Sequence, residues 1–148
     1  KVFLQTEDGK KILCDLAKSN DRAMREIAAE NPNTPKTVLK RLATDKDKGV
    51  RLAVAKNLSA DSSILAILAE GEDWWRILYE IAIHSNTSKN TLAKLAEHKD
   101  AGVRSMVASN PNAFKTTLTK LATDSFLIVR NEVVKNPNTP DKARRKMK

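Results

Sequence analysis

The string NPNTP occurs at residues 31–35 and again at 136–140. Aligned on its first residue, the same frame falls at Asn31, Asn57, His84, Asn110 and Asn136, in steps of 26, 27, 26 and 26. An independent pair, Leu-Ala, recurs at Leu16-Ala17, Leu42-Ala43, Leu68-Ala69, Leu95-Ala96 and Leu121-Ala122, and its frame falls next on Met147-Lys148. Both series take their one longer step between the same two repeats. A period near 26 residues constrains the chain to a repeat architecture. Five full repeats follow a leading half repeat around KKILCDLAK.

Each unit reads as two short helices. The first is VRLAVAKN (50–57), where Val50 and Val54 share a face, echoed by MREIAAEN, VRSMVASN and VRNEVVKN. The second is TVLKRLA (37–43), with Leu39, Leu42 and Ala43 at i, i+3, i+4 spacing. No run alternates with period two, so no sheet is expected. The first helix is short enough for some 3₁₀ character. NPNTP reads as the joint between the two helices. Pro32 pushes Asn31 out of the α region. Thr34 is placed to N-cap the second helix, and Pro35 sits where a missing N–H costs nothing. Thr139 and Pro140 repeat the arrangement. Asp21, Asp47 and Asp100 each precede an arginine by four (Arg25, Arg51, Arg104), placed to cap the first helix and to pair one turn on.

Helices of this length fall below the ~12–15 residues needed for marginal stability alone. Each unit must therefore lie against its neighbours, which predicts one all-α solenoid domain over residues 1–148, roughly 45–55 Å long at the usual helix spacing. Arg144 stands where other repeats have Leu39, Leu65, Leu92 and Leu118. Such a polar end helix either caps the stack or frays.

The pattern [VM]-R-x-x-[VA]-x-x-N-P-N-x-x, followed by L-x-x-L-A, resembles the variant leucine-rich repeat family from about Lys10 to Lys148. The resemblance implies a right-handed α-solenoid of α and 3₁₀ helices, related in architecture to HEAT-like repeats, that acts as a scaffold. One member of that family carries an iron–sulfur cluster on an N-terminal cysteine cluster. Only Cys14 is present here, so the resemblance implies no cofactor.

Composition narrows the function classes. Aromatic residues are 4%, so the core must be aliphatic. A lone cysteine forms no intramolecular disulfide and points to a reducing, cytoplasmic setting. The longest uncharged runs, 62–69 and 81–88, are too short to span a bilayer. Net charge is +9, distributed as +5 over residues 1–56, −4 over 57–88 and +8 over 89–148. A phosphate backbone favours an unbroken positive path, which this is not.

Four groups of residues are candidate sites. Arg25, Arg51, Arg104 and Arg130 recur at one position, as a ladder for anions or as Asp–Arg struts between repeats. Asn31, Asn57, Asn110 and Asn136 form an amide ladder suited to loop carbonyls. Arg41, Lys94, Lys120 and Lys146, interrupted by Ile67, form one basic column, and Lys36, Lys89 and Lys115 another. Such columns suit phosphate contact or a solvated face. EDWWRILYEI (72–81) holds both tryptophans and the only tyrosine, where the register slips. Trp74, Trp75, Arg76 and Tyr79 either fill the gap left by the extra residue or form a binding hot spot. His84, His98 and Cys14 have no metal-ligand spacing, the four glycines make no phosphate loop, and nothing sets Ser, His and Asp in triad roles. The expectation is a non-enzymatic scaffold for a protein partner, with no cofactor, metal, membrane or small-molecule substrate. The alternative is duplex DNA or RNA binding through the basic columns.

Overall fold

The computed structural model describes residues 6–145. They form eleven α-helices and, among the described residues, no strand. The helices are α1 (Glu7–Leu16), α2 (Arg22–Glu30), α3 (Lys36–Leu42), α4 (Lys48–Lys56), α5 (Ser62–Ala69), α6 (Trp75–Ile83), α7 (Lys89–Leu95), α8 (Ala101–Ser109), α9 (Lys115–Leu121), α10 (Leu127–Lys135) and α11 (Asp141–Arg145). The even-numbered helices are the first helices of the repeats, and α3 to α11 of the odd-numbered set are the second. α2 to α10 each lie within two residues of the span their frame predicts, and α11 is described as far as Arg145. The 3₁₀ character expected of the first helices is not seen among the described residues. Their first turns already close with i→i−4 bonds, as from Arg51 N–H to Asp47 C=O.

Caps and turns define the boundaries. Asp21, Asp47 and Asp100 accept from Ala23, Gly49 and Val103 N–H respectively, satisfying donors that a helix start leaves open. Each first helix stops at the ladder position, where the backbone turns extended, as at Asn57 (φ −72°, ψ 116°). Proline alone does not explain the stop, because Leu58 and Ser85 replace it in two repeats. The shared cause is the side chain at the ladder position, which accepts from the N–H two residues on. Asn31, Asn57, Asn110 and Asn136 do so through Oδ1, and His84 through Nδ1. Thr34 does not cap α3. Its hydroxyl donates back to Ala28 C=O, as Thr87 does to Ile81 and Thr139 to Val133. That bond folds the turn onto the helix before it and leaves Pro35 to begin α3 without a side-chain cap.

The core is aliphatic columns read down the repeats. Leu39, Leu65, Leu92 and Leu118 are fully buried on the second helices. Val50, Ile77, Val103 and Val129, with Val54, Ile81, Val107 and Val133, are fully buried on the first. Each such side chain contributes about 1.5–3 kcal/mol. The contacts run between neighbours: α2 with α4, α4 with α6, α6 with α8 and α8 with α10, and more thinly α3 with α5 and α5 with α7.

Polar bonds tie the same neighbours together. Asn57 Nδ2 donates to Ala29 and Asn31 C=O, Asn110 to Ala82 and His84, and Asn136 to Ala108 and Asn110. His84 fills its rung by pairing Nε2 with Asn57 C=O at 3.2 Å, a donation fixed by the Nδ1 acceptance described above. The second asparagine of the motif adds a further rung, from Asn112 to Ser85 C=O and from Asn138 to Pro111 C=O. At the last described turn Arg144 donates to Val134 and Asn136 C=O at 2.9 and 2.7 Å. Those carbonyls stand to Asn136 as Ala108 and Asn110 stand to their own repeat. The guanidinium occupies the acceptors that a further ladder amide would use.

Candidate partner-binding face

Trp75, Tyr79 and Ile83 lie at i, i+4 and i+8, on one line along α6. The same line carries Arg22, Glu26 and Glu30 on α2, Lys48, Leu52 and Lys56 on α4, Ala101, Ser105 and Ser109 on α8, and Leu127, Asn131 and Lys135 on α10. Only α6 is apolar throughout. Trp75 is 51% exposed and Ile83 53%. The Trp75 and Tyr79 rings meet edge to face at 5.3 Å, a geometry favoured by the ring quadrupole. Tyr79 is half-buried against the core, with its phenol lying over Gly102 of α8, where a Cβ would collide with it. Burial, then the Asp100 carboxylate, pushes the phenol above its ordinary pKa, so it remains neutral.

Trp74 occupies the N-cap position held by aspartate in three other repeats, and makes no cap bond. It packs against the core beneath Lys48, whose Nζ lies 4.8 Å from the ring centre. The Arg76 guanidinium lies 5.8 Å from Trp74 and 5.9 Å from Trp75. The structure thus brings all four expected residues together. The extra residue falls where α5 meets the loop before α6: α5 runs eight residues where α3, α7 and α9 run seven. Gly71 there has φ +74°, a left-handed conformation that suits glycine.

The arginine ladder is built differently from the expectation. No arginine pairs with the aspartate one turn back. Arg25 holds Asp45 through Nε and Nη2 at 2.7 and 3.1 Å, and Arg104 holds Asp124 at 2.6 and 2.9 Å, in both cases 20 residues on. Arg51 holds Glu72 at 2.8 Å. Nη1 of each turns back to two carbonyls of its own loop, for example Ser19 and Asn20 for Arg25. The capping aspartates are already occupied by helix N–H groups, and the fork geometry suits the bidentate alternative. Burial opposes ionisation of Asp45, but Arg25 and the Asp47 N–H outweigh it and lower its pKa. Asp124 is lowered first by Arg104, and Glu72 by Arg51 and the Trp74 N–H against burial.

The basic columns lie exposed on the second helices, but several members are engaged. Lys36 pairs with Asp61 at 3.3 Å, and Asp61 is held at about 2, first by the Ser63 hydroxyl and then by Ile64 N–H. Lys120 pairs with Glu97, and Lys89 lies 5.6 Å from the Phe114 ring centre. Arg41, Lys94 and Lys115 form no ion pair among the described residues, and Lys146 lies outside them. Among the described residues no three His, Cys, Asp or Glu gather as a metal set, and no helix is long and apolar enough to cross a membrane.

Comparison with family models, with curated proteins and with solved structures found no match.

Sequence reasoning missed Ile83, Leu78 and His98. Ile83 becomes visible only when the α6 line is read against the same line in other repeats. Leu78 replaces the ladder arginine in its repeat, and His98 replaces the matching carboxylate. The two positions change together.

Proposed function

We propose that the chain is a non-enzymatic scaffold: a right-handed α-solenoid of about five 26-residue, two-helix repeats that binds a protein partner through the first-helix face centred on α6. The neighbour-to-neighbour helix contacts and the amide rungs spaced 26 and 28 residues apart support the stacked arrangement. The resemblance to variant leucine-rich repeats supports the handedness and the scaffold role, and lone Cys14 supports a cytoplasmic setting. The observation that carries the binding reading is the apolar line Trp75–Tyr79–Ile83, the one such line on five first helices. Exposed aromatic and aliphatic anchors of this kind concentrate binding energy. The test is quantitative affinity capture with the wild type beside Trp75→Ala and Ile83→Ser, both exposed enough to leave the fold intact. A partner held by the wild type is expected to be lost from both variants. Undiminished recovery by both would refute the assignment.

A second reading is favoured by one observation, the exposure of Arg41, Lys94 and Lys115 without acidic partners among the described residues. These side chains suit contact with duplex phosphates. Gel-shift binding to duplex DNA and RNA would then weaken steeply with salt. Absence of binding at low salt would exclude it.

A further inference from the structure

We infer that the cleft between α5 and α7 is a guanidinium site that takes an arginine side chain from a partner polypeptide. The repeats themselves supply the template. Between successive second helices runs a groove that contains Arg51 in one repeat and Arg104 in another. In the repeat between them the groove holds Leu78 and is a cleft of about 230 Å³, of similar size to the space of about 250 Å³ beside Arg51 and smaller than the 340 Å³ beside Arg104, so what sets it apart is its lining and not its volume.

Four substitutions converge on this cleft. Leu78 takes the place of the ladder arginine and floors the cleft beside Leu95. His98 takes the place of its carboxylate partner, with Nδ1 accepting from Asp100 N–H at 3.1 Å. Glu70 and Glu97 stand on the two walls, at a frame position that is Thr44 and Thr123 in the flanking repeats. This rung lacks both the arginine and its carboxylate, and two acids stand at the mouth of the cleft.

The acceptors of the missing guanidinium remain. In four other repeats Nη1 of the ladder arginine bonds two carbonyls of its own loop. The corresponding carbonyls here are those of Glu72 and Asp73, and among the described residues no donor reaches either. Three carboxylates and one ammonium, Lys94, line the cleft; Glu72 is already held by Arg51 and Glu97 by Lys120, while Glu70 has no ion pair among the described residues. A planar fork of donors over an apolar floor, facing carbonyls and carboxylates, is arginine chemistry rather than lysine chemistry.

The test is an amide NMR titration of the whole chain with N-acetyl-L-arginine amide, beside N-acetyl-L-lysine amide. Saturable shifts are expected at residues 72–74 and 97–98 with the arginine probe, and binding about tenfold weaker with lysine, the loss of one charge-assisted contact. Leu78→Arg places the repeat's own guanidinium in the cleft and is expected to abolish the shifts. Glu70→Gln with Glu97→Gln, both exposed, keeps the fold and is expected to weaken binding by about tenfold or more. No arginine-dependent shift, or shifts unchanged in both variants, would overturn the site. The protein-binding reading enters only as the source of the arginine. Capture by Trp75→Ala reads the α6 line and this titration reads the cleft, so either fails without the other.

Discussion

At the scale of single residues, the ladder position shows how much one side chain carries. Asn110 ends its helix by accepting from Asn112 N–H, and its amide crosses to two carbonyls of the preceding repeat. That double role explains why the motif recurs. The ion pairs are a second residue-scale device. With side chains 9% exposed on both partners, Arg25–Asp45 is close to a buried pair. Removing one partner of such a pair leaves the other charge uncompensated, whereas replacing both costs far less. The Leu78 and His98 repeat is a natural double replacement. Arg104→Leu is therefore expected to lose about 3 kcal/mol in chemical denaturation, and Arg104→Leu with Asp124→His clearly less than the two single losses added. Strict additivity would contradict the pairing. The carboxylates of Asp45, Glu72 and Asp124 all have pKa values lowered by folding. Their stabilisation is complete above the unfolded value near about 4 and disappears as pH falls through the folded values. Acid titration should therefore show stability level above about pH 5 and falling below about pH 4, with a shallower fall for Asp124→Asn.

At the scale of elements, much was legible in the sequence and the failures share one cause. The helix spans followed from i, i+4 apolar spacing and from the aspartate caps, which are local. Arg25 could have chosen Asp21 or Asp45. Periodicity gives both the same standing, and only the packing of α2 on the next loop brings Asp45 within reach. Thr34 likewise had a local capping role available and took a bond to Ala28 instead. The aromatic group on α6 was visible as composition, but its exposure was not. Trp74 and Tyr79 pack inward while Trp75 and Ile83 face out. The α6–α8 contact gives a direct check. Alanine at a helical glycine normally gains about 1 kcal/mol. At Gly102 it must displace the Tyr79 phenol. Gly102→Ala should therefore be more favourable in a Tyr79→Ala background than in the wild type by at least about 1 kcal/mol, read as a double-mutant cycle in thermal unfolding. Equal effects in both backgrounds would contradict the contact.

At the scale of the whole molecule, helices of five to ten residues persist because each lies against another of its kind. The amide bonds that cross between repeats join residues 26 and 28 apart, which supports stacking in sequence order. The most direct measurement is the distance between spin labels at equivalent exposed sites, Thr37 with Asn90 and Thr37 with Thr116, in a Cys14→Ser background. Stacking in sequence order requires the second distance to exceed the first by about 8–10 Å, one helix layer. A second distance equal to or shorter than the first would contradict it.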